Sequence, residues 1–149
     1  DFSKIADNAE SEKYRISEQG FMSAEQINAL NDDDINKFTH SELFNRIIHS
    51  EKLYKEYRFT VNISANNVDE NTDCDDNVIL QGAIDCIFIE NGELVIVDYK
   101  TDRVKEVPEL ASRYAKQLKL YKNAAEQVFE MPVRECIIYS LHLGEQTTI

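Results

Sequence analysis

The stretch Gln81–Asp102 reads QGAIDCIFIENGELVIVDYKTD and predicts two strands joined by a tight turn. Asn91-Gly92 is the dipeptide most typical of a two-residue hairpin, because both residues tolerate the positive φ of a type I′ turn. Placing these two residues in the loop fixes the register of the strands. The predicted facing pairs are Glu90 with Glu93, Phe88 with Val95 and Asp85 with Asp98.

This register places two acidic side chains, Asp85 and Asp98, directly opposite each other, with Cβ atoms roughly 4.5–5.5 Å apart. Like charges at that distance destabilise a sheet, and apolar neighbours raise the cost by burying the pair. Either one carboxyl holds a proton or a cation lies between them. Carboxylate oxygens suit Mg²⁺ or Mn²⁺. Lys100 follows on the same face, so the stretch carries the groups that hydrolyse a phosphodiester.

The apolar residues around the acidic pair predict a sheet covered on both faces. One predicted face carries Ile84, Cys86, Phe88, Val95 and Val97. The other predicted face carries Ile87, Ile89, Leu94 and Ile96 together with the two aspartates.

An ordered set of motifs, with these spacings, resembles the RecB/AddA-type nuclease domain of the PD-(D/E)XK superfamily, and within it the domain that ends AddA-type subunits. Asp-x-Lys alone would be weak, because chance matches are common. The set consists of Glu56-x-x-Phe59, Gly82-x-x-Asp85, Asp98-Tyr-Lys100-Thr-Asp102 and Gln117-x-x-x-Tyr121. The resemblance covers residues 22–143, which is most of the chain.

The resemblance implies an α/β, restriction-endonuclease-like fold, in which a mixed central sheet has helices on both faces. It implies a Mg²⁺- or Mn²⁺-dependent deoxyribonuclease. By resemblance the metal ligands are Asp85, Asp98 and the Tyr99 carbonyl, the further catalytic residues are Lys100 and Glu56, and Gln117 and Tyr121 lie near the DNA. The family also has a metal-binding histidine on an early helix, before the segment that matches Phe21 onward, and we find no match for it here.

The resemblance also implies partners. Upstream helicase domains of the same polypeptide would feed single-stranded DNA to the site, and a second helicase–nuclease subunit would complete a complex that processes double-strand breaks for recombination. Two alternatives stay open. The domain could be a catalytically silent structural module that docks on a helicase complex, or a metal-dependent hydrolase of a small phosphoester, although it has no Gly-rich phosphate loop.

Charge is distributed unevenly along the chain. The net charge of the 149 residues is −12, which is unusual for a nucleic-acid binder. Residues 100–122, however, contain seven Lys/Arg against three Asp/Glu. Within this segment Arg113, Lys116, Lys119 and Lys122 form a stripe at helical spacing. The stripe fits either a strip of phosphate contacts or a solvated helix face.

The chain length allows one domain with a real core, and we predict a loosely ordered lead-in over residues 1–22 and the nuclease domain over 23–149. Cys74, Cys86 and Cys136 follow no disulfide or zinc spacing, which favours a reducing compartment, so we expect a cytoplasmic protein. No apolar run or signal peptide predicts a membrane partner. Because the chain begins without Met, we expect a fragment of a longer helicase–nuclease.

Several helices and strands follow from local signals. Capping boxes at Ser23-x-x-Gln26 and Thr39-x-x-Glu42 predict two helices, the second over residues 40–50 with Leu43, Phe44, Ile47 and Ile48 inward. Strands are predicted over 54–64 and 136–143, and the acidic segment 66–77 fails the calcium-loop pattern and predicts a flexible connection. A long helix over 109–129 has one apolar stripe: Leu110, Tyr114, Leu118, Tyr121, Ala125 and Val128.

Overall fold

The computed structural model describes residues 2–68 and 76–149, and in these parts of the chain it has seven helices and five strands. The helices are α1 (Phe2–Asp7), α2 (Ala9–Glu18), α3 (Ala24–Asn28), α4 (Asp32–Thr39), α5 (Glu42–Ile48), α6 (Ala65–Val68) and α7 (Pro108–Phe129). The strands are β1 (Lys52–Ser64), β2 (Asn77–Glu90), β3 (Glu93–Lys100), β4 (Val133–Ser140) and β5 (Glu145–Thr148). No helix in the described ranges has the length and apolar character needed to span a bilayer.

The five strands form one mixed sheet in the order β1-β2-β3-β4-β5. Neighbouring strands run antiparallel except β3 and β4, which are parallel and are connected through α7. Such a parallel pair requires a crossover, and a helix is the usual one. The predicted α/β architecture with a mixed sheet is therefore confirmed.

Each face of the sheet carries its own apolar core. On one face α7 buries Leu110, Leu118, Ala124 and Ala125 against Ile87, Leu94, Ile96 and Ile138. On the other face α4 and α5 bury Phe38, Leu43, Phe44 and Ile47 against Cys86, Phe88, Val95, Val97, Ile137 and Tyr139. The strands between the two cores are apolar on both sides, which is why β3 reads as a nearly continuous run of Leu, Val and Ile.

The central hairpin forms as the sequence predicts. Glu90 pairs with Glu93, and the β2–β3 ladder runs in that register as far as Cys86 with Val97. Asn91 and Gly92 have φ values of 55° and 74°, the two positive values that a type I′ turn requires.

The β1–β2 ladder is interrupted where the register would pair Glu56 with Asp85. Pairing passes from Lys55 with Cys86 to Tyr57 with Ile84, and Glu56 has a φ of 50°. Regular alternation would send residues three apart to opposite faces, yet Ile84 and Ile87 both lie in the α7 core. The prediction that Ile84 shares the Cys86 face is therefore wrong. At this interruption the alternation of side chains between the two faces of the sheet shifts by one residue in both strands, which we call a change of phase.

The N-terminal part is more helical than the sequence indicates. Residues 2–18 form α1 and α2 where a loosely ordered lead-in was predicted, and Phe2 packs its ring 5.9 Å from that of Phe44. The boundary of the domain at residue 23 stays a prediction. The capping box at Ser23 and Gln26 is confirmed.

The start of α5 differs from the sequence-based prediction. Ser41, not Thr39, caps the helix, and its hydroxyl accepts the Phe44 N–H at 3.1 Å. Ile48 is 39% exposed instead of inward, since a helix of only seven residues buries one narrow face.

The C-terminal half largely follows the predicted pattern. α7 begins at Pro108 and ends at Phe129, but Val128 is 38% exposed and Ala124 is buried in its place. β4 begins at Val133 and ends at Ser140, three residues before the predicted end, and β5 was not predicted. Of the acidic connection predicted over residues 66–77, residues 69–75, which include Cys74, lie outside the described residues.

Gly82 leaves room for two aromatic rings at the interrupted part of the sheet. A Cβ at this position would lie 2.8 Å from Cζ of Phe59 and 3.3 Å from Cε1 of Tyr121. These rings pack edge to face with centroids 5.6 Å apart. Gly82, three residues before Asp85 in β2, therefore lets α7 pack closely on β1 and β2.

We expect Gly82→Ala to lower the free energy of unfolding by about 1–3 kcal/mol, because it overpacks this contact. Urea denaturation measures the loss. Phe59→Leu in the same chain removes the obstructing ring atoms, so the double variant should lose less than the sum of the single losses. Additive losses would contradict the proposed clash.

Candidate active site

Two acidic residues meet where hairpin pairing stops. Asp85 and Asp98 lie one step beyond the last pair of the β2–β3 ladder, Cys86 with Val97. Asp98 is only 3% exposed, whereas Asp85 is half-buried. A carboxylate oxygen of Asp85, Oδ2, accepts the backbone N–H of Tyr99 at 3.0 Å. The side chain of Asp85 is thereby fixed to the strand that carries Asp98.

The surroundings of Asp98 oppose its negative charge. Burial raises the pKa of the Asp98 carboxyl above its usual value, and the nearby Asp85 carboxylate raises this pKa as well. The Lys100 ammonium acts in the opposite direction. Since burial outweighs the lysine, the two carboxylates form a site that gains from a further positive charge.

Lys100 occupies the position expected from its place in the strand. Its Nζ lies 2.7 Å from Oδ2 of Asp98, and the side chain is only 15% exposed. The same Nζ lies 4.0 Å from the centroid of the Tyr114 ring, on α7. The ammonium is thus held between a buried carboxylate and an aromatic face.

The oxygen donors at this site fit a hard divalent cation. Oδ2 of Asp98 is buried and has no partner in hydrogen-bonding geometry among the described residues, although Lys100 is close to it. Mg²⁺ commonly binds through one or two protein carboxylates and keeps waters or substrate phosphates as its other ligands. Within residues 2–68 and 76–149, no three His, Cys, Asp or Glu side chains are grouped to hold a metal. The protein thus offers two carboxylates to the cation.

The other predicted ligands are placed differently. The Tyr99 ring packs 5.3 Å from the ring of Phe38 on the α4–α5 side, so only its backbone faces the aspartates. Glu56 is exposed on β1, at the position that the register sets opposite Asp85. The three histidines are exposed, and His40 and His49 each donate from Nδ1 to a carbonyl of their own helix at 2.8 Å.

Gln117 and Tyr121 lie one turn apart on α7 and contact each other. Nε2 of Gln117 donates to the Tyr121 hydroxyl at 3.0 Å, and Tyr121 packs on Phe59 beside Gly82. Oε1 of Gln117 is buried and has no hydrogen-bond partner in the described part of the chain. This pair therefore carries a free acceptor next to the interrupted strands.

The basic stripe of α7 is only partly available for other contacts. Lys116 and Lys119 are exposed and Lys122 is half-buried. Arg113 is 52% exposed and lies 3.4 Å from Asp102 and 3.6 Å from Glu109, so two acids already attract its guanidinium.

Sequence reasoning missed the role that geometry gives to Tyr114. Helical periodicity assigned it to the apolar stripe, yet its hydroxyl donates to Asp102, with both carboxylate oxygens 3.2 Å away. Asp102 belongs to the quoted motif but received no role there. The sequence does contain a signal for this pair. Asp102 follows Lys100 by two residues, and Tyr114 lies within the first two turns of the next helix.

Comparisons of the sequence with known proteins point to one family. A family profile described as "PD-(D/E)XK nuclease superfamily" matches residues 5–146. The chain is 36% identical over 143 residues to an ATP-dependent helicase/nuclease subunit of Clostridium botulinum, covering 91% of the chain and 11% of the relative. It is 34% identical over 141 residues to a subunit with the same description from Geobacillus kaustophilus, covering 87% and 11%.

The chain thus spans about a tenth of the length of these curated relatives, 11% in each case. The matched region contains both aspartates, Lys100, and the α7 residues that surround them. A match over nearly the whole chain, together with this placement of the acidic and basic residues, identifies the protein as a member of the PD-(D/E)XK nuclease superfamily.

Proposed function

We propose that this domain hydrolyses phosphodiester bonds of DNA with Mg²⁺ or Mn²⁺ bound at Asp85 and Asp98. The observation that carries the proposal is the buried Asp98 carboxylate, which lies beside a second carboxylate and 2.7 Å from a lysine ammonium. Two carboxylates that repel each other are stabilised by a cation bound between them. PD-(D/E)XK nucleases as a group are metal-dependent.

Each residue has a distinct part in the proposed reaction. A divalent ion bound here would lower the pKa of a water ligand and neutralise charge on the phosphate. Asp98 and Asp85 hold the ion, with the Tyr99 carbonyl as a further ligand. Lys100 donates hydrogen bonds to the attacking oxygen and to the charge that develops on the phosphate. Glu56 borders the site from β1 and supports it.

α7 supplies the proposed contacts to DNA. Gln117 and its hydrogen-bonded neighbour Tyr121 would support the site beside the aspartates; because Oε1 of Gln117 is buried, its direct contact with a nucleotide requires the side chain to turn outward. Arg113, Lys116, Lys119 and Lys122 follow the helix and would contact phosphates. Single-stranded DNA is the proposed substrate, since a strip of point charges along one helix can follow a flexible backbone.

The names of the relatives suggest a larger setting. We propose that the domain belongs to a longer cytoplasmic polypeptide with helicase domains, that it acts as an exonuclease, and that it works with a second subunit in processing double-strand breaks for recombination. The two relatives described above are each named as a subunit of an ATP-dependent helicase/nuclease.

A specific observation favours a second candidate function. The described residues provide no third acidic or histidine ligand beside the two aspartates, and the net charge is −12. These features suit a silent domain that docks on a helicase complex. The retained trio of Asp85, Asp98 and Lys100 favours the nuclease, because a docking role gives no reason to bury an aspartate beside a lysine.

The first prediction concerns the metal. Mg²⁺ at a hundredfold excess over its dissociation constant should stabilise the wild-type chain by about 2.7 kcal/mol, because only the folded state assembles the site. Thermal unfolding with and without the ion measures this gain, and Asp98→Asn should abolish most of it.

Asp98→Asn should also change stability without metal. Because the folded pKa of Asp98 lies above the unfolded value, the protonated form favours folding, and this stability is lost as pH rises through the folded pKa. At pH 7 and without metal, the variant should therefore be at least as stable as the wild type. Asp76→Asn, at an exposed aspartate outside the site, is the control and should keep the full metal gain. Equal gains in all three proteins would refute metal binding at Asp98.

The second prediction separates the enzyme from the docking domain. Lys100→Ala, in the full-length polypeptide that carries this domain, should reduce cleavage of single-stranded DNA by on the order of 10²-fold, comparable to losing one preorganised donor. The rate is followed with end-labelled DNA and Mg²⁺ under single-turnover conditions. Lys105→Ala removes an equal charge from an exposed position of the following segment and should leave the rate unchanged.

Near wild-type cleavage by the Lys100→Ala protein would exclude the proposed role of this lysine. If even the wild-type polypeptide cleaves no DNA with Mg²⁺ or Mn²⁺, the nuclease function is refuted and the docking function is favoured.

The third prediction concerns the stripe on α7. Reversing Lys116 and Lys119 to Glu should weaken binding of single-stranded DNA and flatten the dependence of log affinity on log salt by roughly 0.7 for each lost contact. Fluorescence anisotropy across a salt series gives this slope. Reversing Lys4 and Lys52 produces the same net charge away from α7, so it serves as the control. Identical slopes for the two double variants would leave the stripe as a solvated helix face.

A further inference from the structure

We propose that Tyr114 is a positioning residue that holds the Lys100 ammonium at the active site, and that Asp102 orients the Tyr114 ring for this purpose. The inference rests on the proposed function, because it assigns Tyr114 an effect on the reaction through Lys100. Neither the family motifs quoted above nor helical periodicity gives Tyr114 such a role.

The first observation is the place of the ammonium. Nζ of Lys100 lies 4.0 Å from the centroid of the Tyr114 ring, well within the distance at which a cation is attracted to an aromatic face. The side chain is 15% exposed, so little water competes with the ring. The ring and the Asp98 carboxylate, 2.7 Å away, together define where the charge lies.

The second observation is that the ring itself is fixed. The Tyr114 hydroxyl donates to Asp102, whose two carboxylate oxygens are each 3.2 Å away. Nη1 of Arg113 lies 3.4 Å from the same carboxylate. Because Asp102 follows Lys100 by two residues, this hydrogen bond ties α7 to the segment that carries the lysine. An acidic acceptor also enriches the phenol ring in electrons, which strengthens its attraction for the ammonium.

The two partners of Lys100 differ in how they respond to a bound metal. Once Asp98 serves as a metal ligand, its carboxylate shares its charge with the cation and attracts the ammonium less. The neutral ring of Tyr114 is not a ligand, so its attraction for Lys100 persists. Tyr114 therefore becomes the main side chain that keeps the ammonium beside the carboxylates in the metal-loaded protein.

A double-mutant cycle in the full-length polypeptide tests the inference. Tyr114→Leu should lower kcat for single-stranded DNA by about 10-fold, the effect expected from one well-desolvated cation–π contact, with little change in KM or in the Mg²⁺ dependence. Tyr114→Phe keeps the ring but loses the hydrogen bond to Asp102, so it should restore only part of the rate; a full restoration would refute the orienting role of Asp102. In a Lys100→Ala background, Tyr114→Leu should cause no further loss, because it acts only through that lysine.

A readout independent of activity follows the lysine directly. Acetylation of Lys100, measured by mass spectrometry with and without Mg²⁺, should be faster in Tyr114→Leu than in the wild type, and the difference should be larger with Mg²⁺. Tyr54 provides a matched control, since Nζ of Lys52 lies 5.1 Å from its ring centroid outside the active site. Because Lys52 is already exposed, Tyr54→Leu should change its acetylation little, and it should leave both Lys100 and kcat unchanged.

The outcomes separate the inference from the proposed function. Full activity of the Lys100→Ala protein would refute the role of Lys100 and, with it, any role that Tyr114 has through this lysine. A 10-fold loss from Tyr114→Leu that recurs in the Lys100→Ala background, or an unchanged acetylation rate of Lys100, would refute the inference alone. If Tyr114→Leu does not fold, Tyr114→Met keeps a long apolar side chain at this half-buried position and replaces it in both measurements.

Discussion

The structure is organised around one energetically unfavourable arrangement, the burial of the Asp98 carboxylate near the carboxylate of Asp85. Without a cation, burial and like charge both oppose ionisation of Asp98, and Lys100 offsets only part of this. The fold tolerates the contact because two apolar cores, one on each face of the sheet, fix the strands on which the carboxylates stand. Under the proposed function, a cation bound here would relieve this repulsion and would require no rearrangement of the strands.

The interruption of the ladder at Glu56 and Asp85 allows the sheet to hold such a contact. A regular ladder would commit the backbone groups around Asp85 to β1 and β3, whereas here the Asp85 carboxylate accepts the Tyr99 N–H. The positive φ of Glu56 costs about 1–2 kcal/mol for a residue other than glycine. Because β1 and β2 change phase together, their register survives and the apolar residues beyond the interruption still reach the α7 core.

Features that short stretches of sequence determine, such as the hairpin turn and the extent of α7, could be predicted from the sequence. Asn91-Gly92 specifies its own turn, and the register follows from it as far as Cys86 with Val97, one step before the predicted pair of Asp85 and Asp98. The length of α7 follows from its periodicity and from Pro108. The phase change at Ile84 could not be predicted, because nothing in a glutamate's intrinsic preference signals a left-handed backbone. Tyr114 was read as core for a similar reason: periodicity identifies the face of a helix, but the partner across that face is set by the tertiary fold.

The uneven distribution of charge along the chain bears on the electrostatic affinity that this domain can have for DNA. At physiological ionic strength the Debye length is about 8 Å, so acidic residues farther than this from a phosphate repel it only weakly. Residues 100–122 carry seven basic against three acidic side chains within a chain of net charge −12. Arg113 is partly neutralised by Asp102 and Glu109, and Lys100 by Asp98. For the phosphate contacts proposed above, the charge left is therefore small and local, and it would give only weak affinity for DNA in bulk solution.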